Sequence, residues 1–508
     1  MTDIADLRQH ARAEPGRIAV VCGDERLTYG ELEALANRLA AVLRARGLQR
    51  GDHIASLMGN RPEGLALAWA AWRTGLYVTP VPTTLVATEV RYLVDDSDAK
   101  AVLVDADCAA LVDAADWPSG AQRLAVRGGI DSAIDLRPEI ASASPEPAAH
   151  EPPGALMMYT SGTTGAPKGV HRPLLPPDWR GTPPFAADLI ALFGVGGRDV
   201  RYLSTAPLYH AAPLRVALAV TAGGGTVFVM NRFDAARALD LIEHEAITHS
   251  QWVPAMFQRL LALPAERRAQ HRAPAHRTAI HGAAPCPPSL KAAMIDWWGP
   301  ILLEYYSGSE GVGLTLIDSY EALAHPGSVG RAMKGELHIA DELGHEVPVG
   351  STGLVCFSGG APFSYYKAPE KTARWKLPAG WQSFGDIGHV DAEGYLYLTD
   401  RADDVIISGG VNIYPQEIES ALRQVRGVWD IAVVGIEDDR FGERPVAFVV
   451  ADKRQPGCET ALVRQLEDAA QQSLGKFKQP DRYLVIDELP RSATGKLLRR
   501  QLRAIAAK

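Results

Sequence analysis

Tyr159 to Val170 reads Tyr-Thr-Ser-Gly-Thr-Thr-Gly-Ala-Pro-Lys-Gly-Val. Gly162, Gly165 and Gly169 let backbone N–H groups approach an anion where a Cβ would clash. Thr160, Ser161, Thr163 and Thr164 add hydroxyl donors, and Lys168 adds a full positive charge. Residues of these types in this order make a cradle for phosphate oxygens. The pattern is not a Walker loop, because Lys168 is followed by Gly169 rather than Ser or Thr. A plain surface loop rich in Gly, Ser and Thr has a similar composition, so the reading requires the remaining parts of a nucleotide site elsewhere in the chain.

Further stretches supply candidates for those parts. Gly282-Ala283-Ala284-Pro285 is a run of small residues that would let a flat base approach the backbone; a tight turn with no ligand is the plainer alternative. Tyr305-Tyr306-Ser307-Gly308-Ser309-Glu310-Gly311 sets aromatic rings beside hydroxyls and a carboxylate. Asp386 lies in Gly-Asp-Ile-Gly, and a carboxylate can accept two hydrogen bonds side by side. Arg401 and Asp403 fall in Asp-Arg-Ala-Asp-Asp, followed by Ser408-Gly409-Gly410 and by Asn412 to Glu419. Near the end, Lys496 stands in Thr-Gly-Lys before a short basic helix, where a solvated basic tail is the alternative.

Taken in order, these motifs resemble the adenylate-forming superfamily: acyl- and aryl-CoA synthetases, firefly luciferase and the adenylation domains of peptide synthetases. The likeness runs from Leu27-Thr-Tyr-Gly-Glu-Leu32 to Leu502 and is closest to the acyl- or aryl-CoA ligases. It implies ATP, Mg²⁺ and CoA as cofactors. It implies that Thr160, Ser161, Gly162, Thr163, Thr164, Gly165 and Lys168 cradle phosphates, and that Gly282, Ala283 and Ala284 lie against adenine. Tyr306, with Tyr305 beside it, takes the aromatic position at the base; Ser309 reaches a phosphate and Glu310 helps hold Mg²⁺. Asp386 would accept the ribose hydroxyls, Arg401 would contact ribose or phosphate, and Asp403 would be a hinge. Gly409 and Gly410 would border the thiol channel, while Lys496 bridges the acid's carboxylate and the α-phosphate. His210 follows an aromatic residue, as in family members where that histidine borders the carboxylate end. The catalytic set is thus Lys496, Lys168, Glu310 and His210. Two positions depart from the family pattern: Ser307 replaces a usual Gly and Ser309 a usual Thr.

The implied activity is an ATP-dependent acyl-CoA synthetase. It forms an acyl-AMP with release of pyrophosphate, then transfers the acyl group to CoA. Amino-acid-activating relatives hold the ammonium with an aspartate, but Pro207 to Pro213 contains no carboxylate. A second charge on the acid would lack a buried partner, which is costly. Trp252, Phe257 and Tyr305 offer flat apolar walls, although Trp252 and Phe257 could equally be helix core. A hydrophobic fatty or ring-bearing acid is therefore expected, with an aryl-CoA ligase as the alternative. The chain ends twelve residues after Lys496, so no fused carrier domain is expected; free CoA is favoured over a separate carrier protein. A luciferase-like oxygenase shares the same motifs, and a non-catalytic nucleotide binder would be expected to lose Lys496, Glu310 or Asp386.

These residues need a scaffold of more than one domain, and 508 residues are too many for one compact core. A net charge of −8 argues against a nucleic-acid partner. Five scattered cysteines fit a reduced, cytoplasmic setting, and neither a signal peptide nor an apolar run of membrane-spanning length is visible. A homodimer is carried as an expectation. Thr28 and Glu31 have capping-box spacing ahead of Leu32, Leu35, Ala36, Leu39 and Leu43, which predicts an amphipathic helix. Short apolar runs at 53–58, 101–104 and 155–159 alternate with helical stretches such as 63–73, the pattern of an α/β layered fold. Residues 172–197 are rich in Pro and Gly around a short apolar helix, and 327–362 read as a β-rich subdomain. Pro415 opens a helix, and strands are expected at 431–434, 446–450 and 483–486. The expected architecture is a large multi-subdomain α/β domain over 1–402 and a small mobile α+β domain over 403–508.

Overall fold

The computed structural model describes residues 6–115, 117–118, 120–160, 167–409, 411–438, 440–452, 459–491 and 497–506. Two compact units form. The first holds the chain up to Thr160 with Pro167–Glu304 and Pro362–Thr372, and the second holds Tyr305–Ala361 with Ala373 onward.

Within the first unit, six neighbouring strands of one sheet run in the order Thr278–His281, His249–Trp252, Arg201–Ser204, Thr226–Val229, Ile18–Cys22 and Glu25–Thr28. Its neighbours are parallel except for the final pair. Strands of this kind are covered on both faces, and the His249–Trp252 and Thr226–Val229 strands are buried throughout. Ala235–His244 and Pro254–Leu261 cover one face, and Leu239, Ile242, Phe257 and Leu260 are among the core side chains. A second, six-stranded parallel sheet has the order Ile134–Asp135, Gln122–Arg127, Ala99–Asp105, His53–Leu57, Tyr77–Pro80 and Ala155–Leu156. The helix Tyr29–Ala45 begins with the expected capping box, in which Glu31 N–H donates to Thr28 and Thr28 N–H donates to Glu31. Such a cap contributes about 1 kcal/mol.

The single strand expected over 155–159 is two strands. Ala155–Leu156 joins the parallel sheet, whereas Met158–Thr160 joins a three-stranded antiparallel sheet with Lys168–His171 and Ser364–Tyr365. The switch falls at Met157, fully buried, whose N–H donates to the Val78 carbonyl. Sheet exchange brings the two ends of the glycine-rich segment together, with Lys168 opposite Thr160.

The second unit contains a four-stranded antiparallel sheet, Glu336–Ala340, Gly353–Ser358, Gln382–Val390 and Leu396–Arg401; the first two strands fall in the stretch expected to be β-rich and the other two lie beyond it. Beyond it, Val428–Asp438 and Gly442–Ala451 pair as long antiparallel strands, longer than expected, with Arg482–Val485 parallel to the latter. Alternate residues of this sheet serve two cores. Ile431, Val433, Ala447 and Val449 meet the helices Pro415–Leu422 and Glu459–Ser473, while Ala432, Val434, Val446 and Phe448 meet Arg499–Ala506. A period of two along a strand buried on both faces produces this division. Among the described residues, no helix is long and apolar enough to cross a membrane.

Candidate functional site

In the first unit, candidate residues fall at the carboxyl ends of parallel strands, where open α/β sheets bind ligands. Gly282, Ala283 and Ala284 follow directly on Thr278–His281. Ala283 has φ 67°, a left-handed conformation that a non-glycine residue rarely adopts and that the surrounding structure must hold. Beneath this turn His281 is fully buried, 4.0 Å from Glu304, and Glu304 pairs with the equally buried Lys291. Sequence inspection missed this cluster, because no local pattern marks a lysine and a glutamate thirteen residues apart as partners.

His210 caps the helix Ala211–Ala222, which follows the strand Arg201–Ser204. Burial pushes its imidazole down to about 4, so the ring is neutral near pH 7. Its Nε2 is buried without a hydrogen-bond partner among the described residues. A buried polar atom left in this way calls for a ligand or a water. Thr160 and Lys168 face one another across two antiparallel strands, and Lys168 Nζ lies 5.0 Å from the centre of the Tyr365 ring. Ser161, Gly162, Thr163, Thr164 and Gly165 lie outside the described residues, as do Gly410 and Lys496.

Trp252 and Phe257 take the core alternative. They are 1% and 0% exposed, packed on each other and on Trp298. The Trp252 indole N–H donates to Ser250, which ties that ring further into the interior.

In the second unit, three candidates converge although they lie far apart in sequence. Tyr306 Oη donates to Asp386 Oδ2 at 2.6 Å, and Arg401 Nε lies 3.3 Å from Asp386 Oδ1. Asp386 and Arg401 are brought together because they are opposite residues of neighbouring antiparallel strands. Burial, followed by the Asp386 carboxylate, pushes the Tyr306 phenol well above its usual range. Glu310 is buried as well, and a Cβ at Gly308 would lie 2.5 Å from Phe384 and 2.6 Å from Glu310. A Cβ there would have to displace both side chains. Ser307 turns its hydroxyl inward to the Gly313 carbonyl at 2.7 Å, which accounts for a side chain where the family has glycine. Tyr305 and Ser309 flank these groups on the same strand and turn, both half-buried.

Asp403 and Asp404 turn to different partners. Asp403 accepts from Arg374 at 2.6 Å, whereas Asp404 accepts from Arg503 and pairs with Arg499, both on the helix Arg499–Ala506. Gly409 has φ 59° and its N–H donates to the Phe441 carbonyl. No group of three or more His, Cys, Asp or Glu able to hold a metal occurs among the described residues. The buried carboxylate of Glu310 suits Mg²⁺ that arrives with phosphates, since that ion commonly takes one or two carboxylates together with substrate oxygens.

A mixed α/β chain with a large N-terminal domain, a smaller C-terminal one and strand-end turns of this type is an adenylate-forming enzyme. The chain belongs to the AMP-binding enzyme family: the AMP-binding enzyme model matches residues 7–367, and the AMP-binding enzyme C-terminal domain matches 417–496. It is 34% identical over 510 residues to the long-chain-fatty-acid–CoA ligase FadD13 of Mycobacterium tuberculosis (strain CDC 1551 / Oshkosh), covering 98% of this chain and 97% of the relative. It is 32% identical to the indoleacetate–CoA ligase of Aromatoleum aromaticum (strain DSM 19018 / LMG 30748 / EbN1), with the same coverage. Among solved structures, ATP-bound MatB from Rhodopseudomonas palustris superposes with a TM-score of 0.82 at 30% identity, covering 98% of this chain and 99% of that one. The protein is an AMP-forming acid–thiol ligase, an acyl-CoA synthetase that uses ATP, Mg²⁺ and CoA.

Proposed function

We propose that this ligase activates a hydrophobic monocarboxylic acid, fatty or ring-bearing, and that the observation carrying this is His210. A neutral imidazole with an unpartnered Nε2 can donate one hydrogen bond to a carboxylate oxygen without adding a charge. It heads a helix whose first residues, Ala211, Ala212, Pro213 and Leu214, carry no ionisable side chain to receive another charge on the acid. Relatives named for a long-chain fatty acid and for indoleacetate support both shapes of acid. Four free cysteines among the described residues, Cys22, Cys108, Cys286 and Cys356, support a reduced, cytoplasmic setting.

The proposed first step is attack of a carboxylate oxygen on the α-phosphorus of ATP, forming acyl-AMP and releasing pyrophosphate. In the first unit Thr160 and Lys168 have the phosphate-holding role and the Gly282–Ala284 turn a base-contacting one; in the second, Asp386 has the role of accepting the ribose hydroxyls and Tyr306 that of the aromatic at the base. Glu310 is the residue that would hold Mg²⁺, which when bound would supply positive charge against that building on the phosphates. In the second step the CoA thiol attacks the acyl carbonyl and AMP leaves.

Fatty, cyclic, aryl, amino and dicarboxylic acids compared by kcat/KM for thioester formation test the acid assignment. The expected result is a preference for apolar monocarboxylates. A preference for an amino acid or a dicarboxylate overturns it while leaving the adenylation chemistry standing.

The hinge is proposed at Asp403, next to Asp404, which is bound to the C-terminal helix. Asp403→Pro is expected to spare adenylation and to slow CoA transfer about tenfold or more, because proline fixes φ near −65°. Asp403→Ala removes the Arg374 pair but not the torsional freedom, so it separates the two effects. Thioester formation as fast in the proline variant as in wild type would place the hinge elsewhere.

A further inference from the structure

The second half of the helix Ala87–Asp96 and the residues after it reach each strand of the small sheet that carries Thr160 and Lys168, or a residue next to it. Tyr92 Oη donates to the Pro167 carbonyl at 2.9 Å, immediately before Lys168–His171. Asp96 accepts from Tyr159 Oη at 2.6 Å, inside Met158–Thr160. Asp98 accepts from Tyr366 Oη at 2.9 Å and from Lys367 Nζ at 2.7 Å, just beyond Ser364–Tyr365.

Tyr92 and Asp96 are four residues apart and so share a helix face. The outer contact to Lys367 is exposed and contributes little by itself. The two inner contacts are half-buried and reach the two stems that flank residues 161–166. Asp98 and Lys367 have φ 50° and 52°, a backbone region that persists only where the surroundings determine it. Strand pairing then links the anchors, since Lys168 is opposite Thr160 and Tyr366 N–H donates to the Gly169 carbonyl.

We propose that Tyr92 and Asp96 are positioning residues for the adenylation step. They hold Pro167 and Tyr159 so that Lys168 and Thr160 keep their register toward the phosphates of ATP. This rests on the reading of 159–170 as the phosphate cradle. Neither side chain meets substrate; each acts through a strand end. A displacement of about 1 Å in such a group can cost about 10²-fold in rate.

Asp96→Ala, Asp96→Asn and Tyr92→Phe test it, by calorimetric MgATP binding, acid-dependent ATP–pyrophosphate exchange, thiolysis of supplied acyl-AMP and thermal melting. Asp96→Ala is expected to weaken MgATP binding and to lower exchange, each by about tenfold or more. Thiolysis stays at the wild-type rate, because pyrophosphate has by then departed. Asp96→Asn keeps an acceptor for Tyr159 and restores most of the loss. A melting temperature that falls while MgATP binding and exchange stay unchanged would make the contacts purely structural and overturn the proposal. So would equal losses in both half-reactions. Should Asp96→Ala not fold, Tyr159→Phe deletes the same hydrogen bond with little change of shape. An absence of acid-dependent exchange in the wild type would instead refute the activity, and MgATP binding by wild type and variants would still decide the positioning role.

Discussion

Lys496→Ala is expected to lower acyl-AMP formation by about 10²- to 10³-fold while leaving thiolysis of supplied acyl-AMP near the wild-type rate. The carboxylate and the α-phosphate are both anionic, so their approach needs a cation between them that is strongest as charge moves onto the bridging and leaving oxygens. A lysine ammonium supplies that as a point charge. The second half-reaction expels AMP from a carbonyl and creates no such meeting of anions. Lys496 lies outside the described residues; the helix that follows it is held by Arg499 to Glu419 and by Arg503 to Asp404. Separate assays of pyrophosphate exchange and of thiolysis check this, and equal loss of both would mean that Lys496 does not serve the first half-reaction alone.

Asp386→Ala is expected to act on both half-reactions. Its carboxylate accepts from Tyr306 and pairs with Arg401, and the ribose it would hold is present in ATP and in acyl-AMP alike. Removing a charged hydrogen-bond acceptor at a bound hydroxyl costs about 1.5–3 kcal/mol per bond, about 10- to 100-fold in kcat/KM for ATP. Stability should fall as well, because Arg401 Nε faces Asp386 from a buried position and the Tyr306 phenol would lose its acceptor. Asp386→Asn keeps an acceptor for Tyr306 and should fall between wild type and the alanine variant. Steady-state kinetics against ATP, with melting as a control for folding, measure both effects. A loss confined to one half-reaction would mean that Asp386 does not hold the nucleotide throughout.

Features whose information is local were legible along the chain. The capping box at Thr28 and Glu31, the helix opened by Pro415 and the strands at 53–57 and 99–105 follow from spacing, backbone restriction and apolar runs within a few residues. The order of the glycine-rich segment, the Tyr306–Glu310 stretch and Asp386 was likewise readable, because each motif's chemistry is carried by neighbours. Tertiary structure alone decided which groups meet and in what surroundings. Tyr306, Asp386 and Arg401 join only through strand pairing and packing. Trp252 and Phe257 could have faced a pocket or a core, and the placement of Trp298 turned them into core. The neutral state of His210 comes from burial, which no local residue pattern specifies. The reach of Tyr92, Asp96 and Asp98 to partners 75, 63 and 268 residues away depends on the chain changing sheets at Met157. Periodicity and backbone restriction are properties of neighbouring residues and so survive in a linear reading. Partnership and desolvation depend on which distant elements pack together, and that is settled only when the whole core forms.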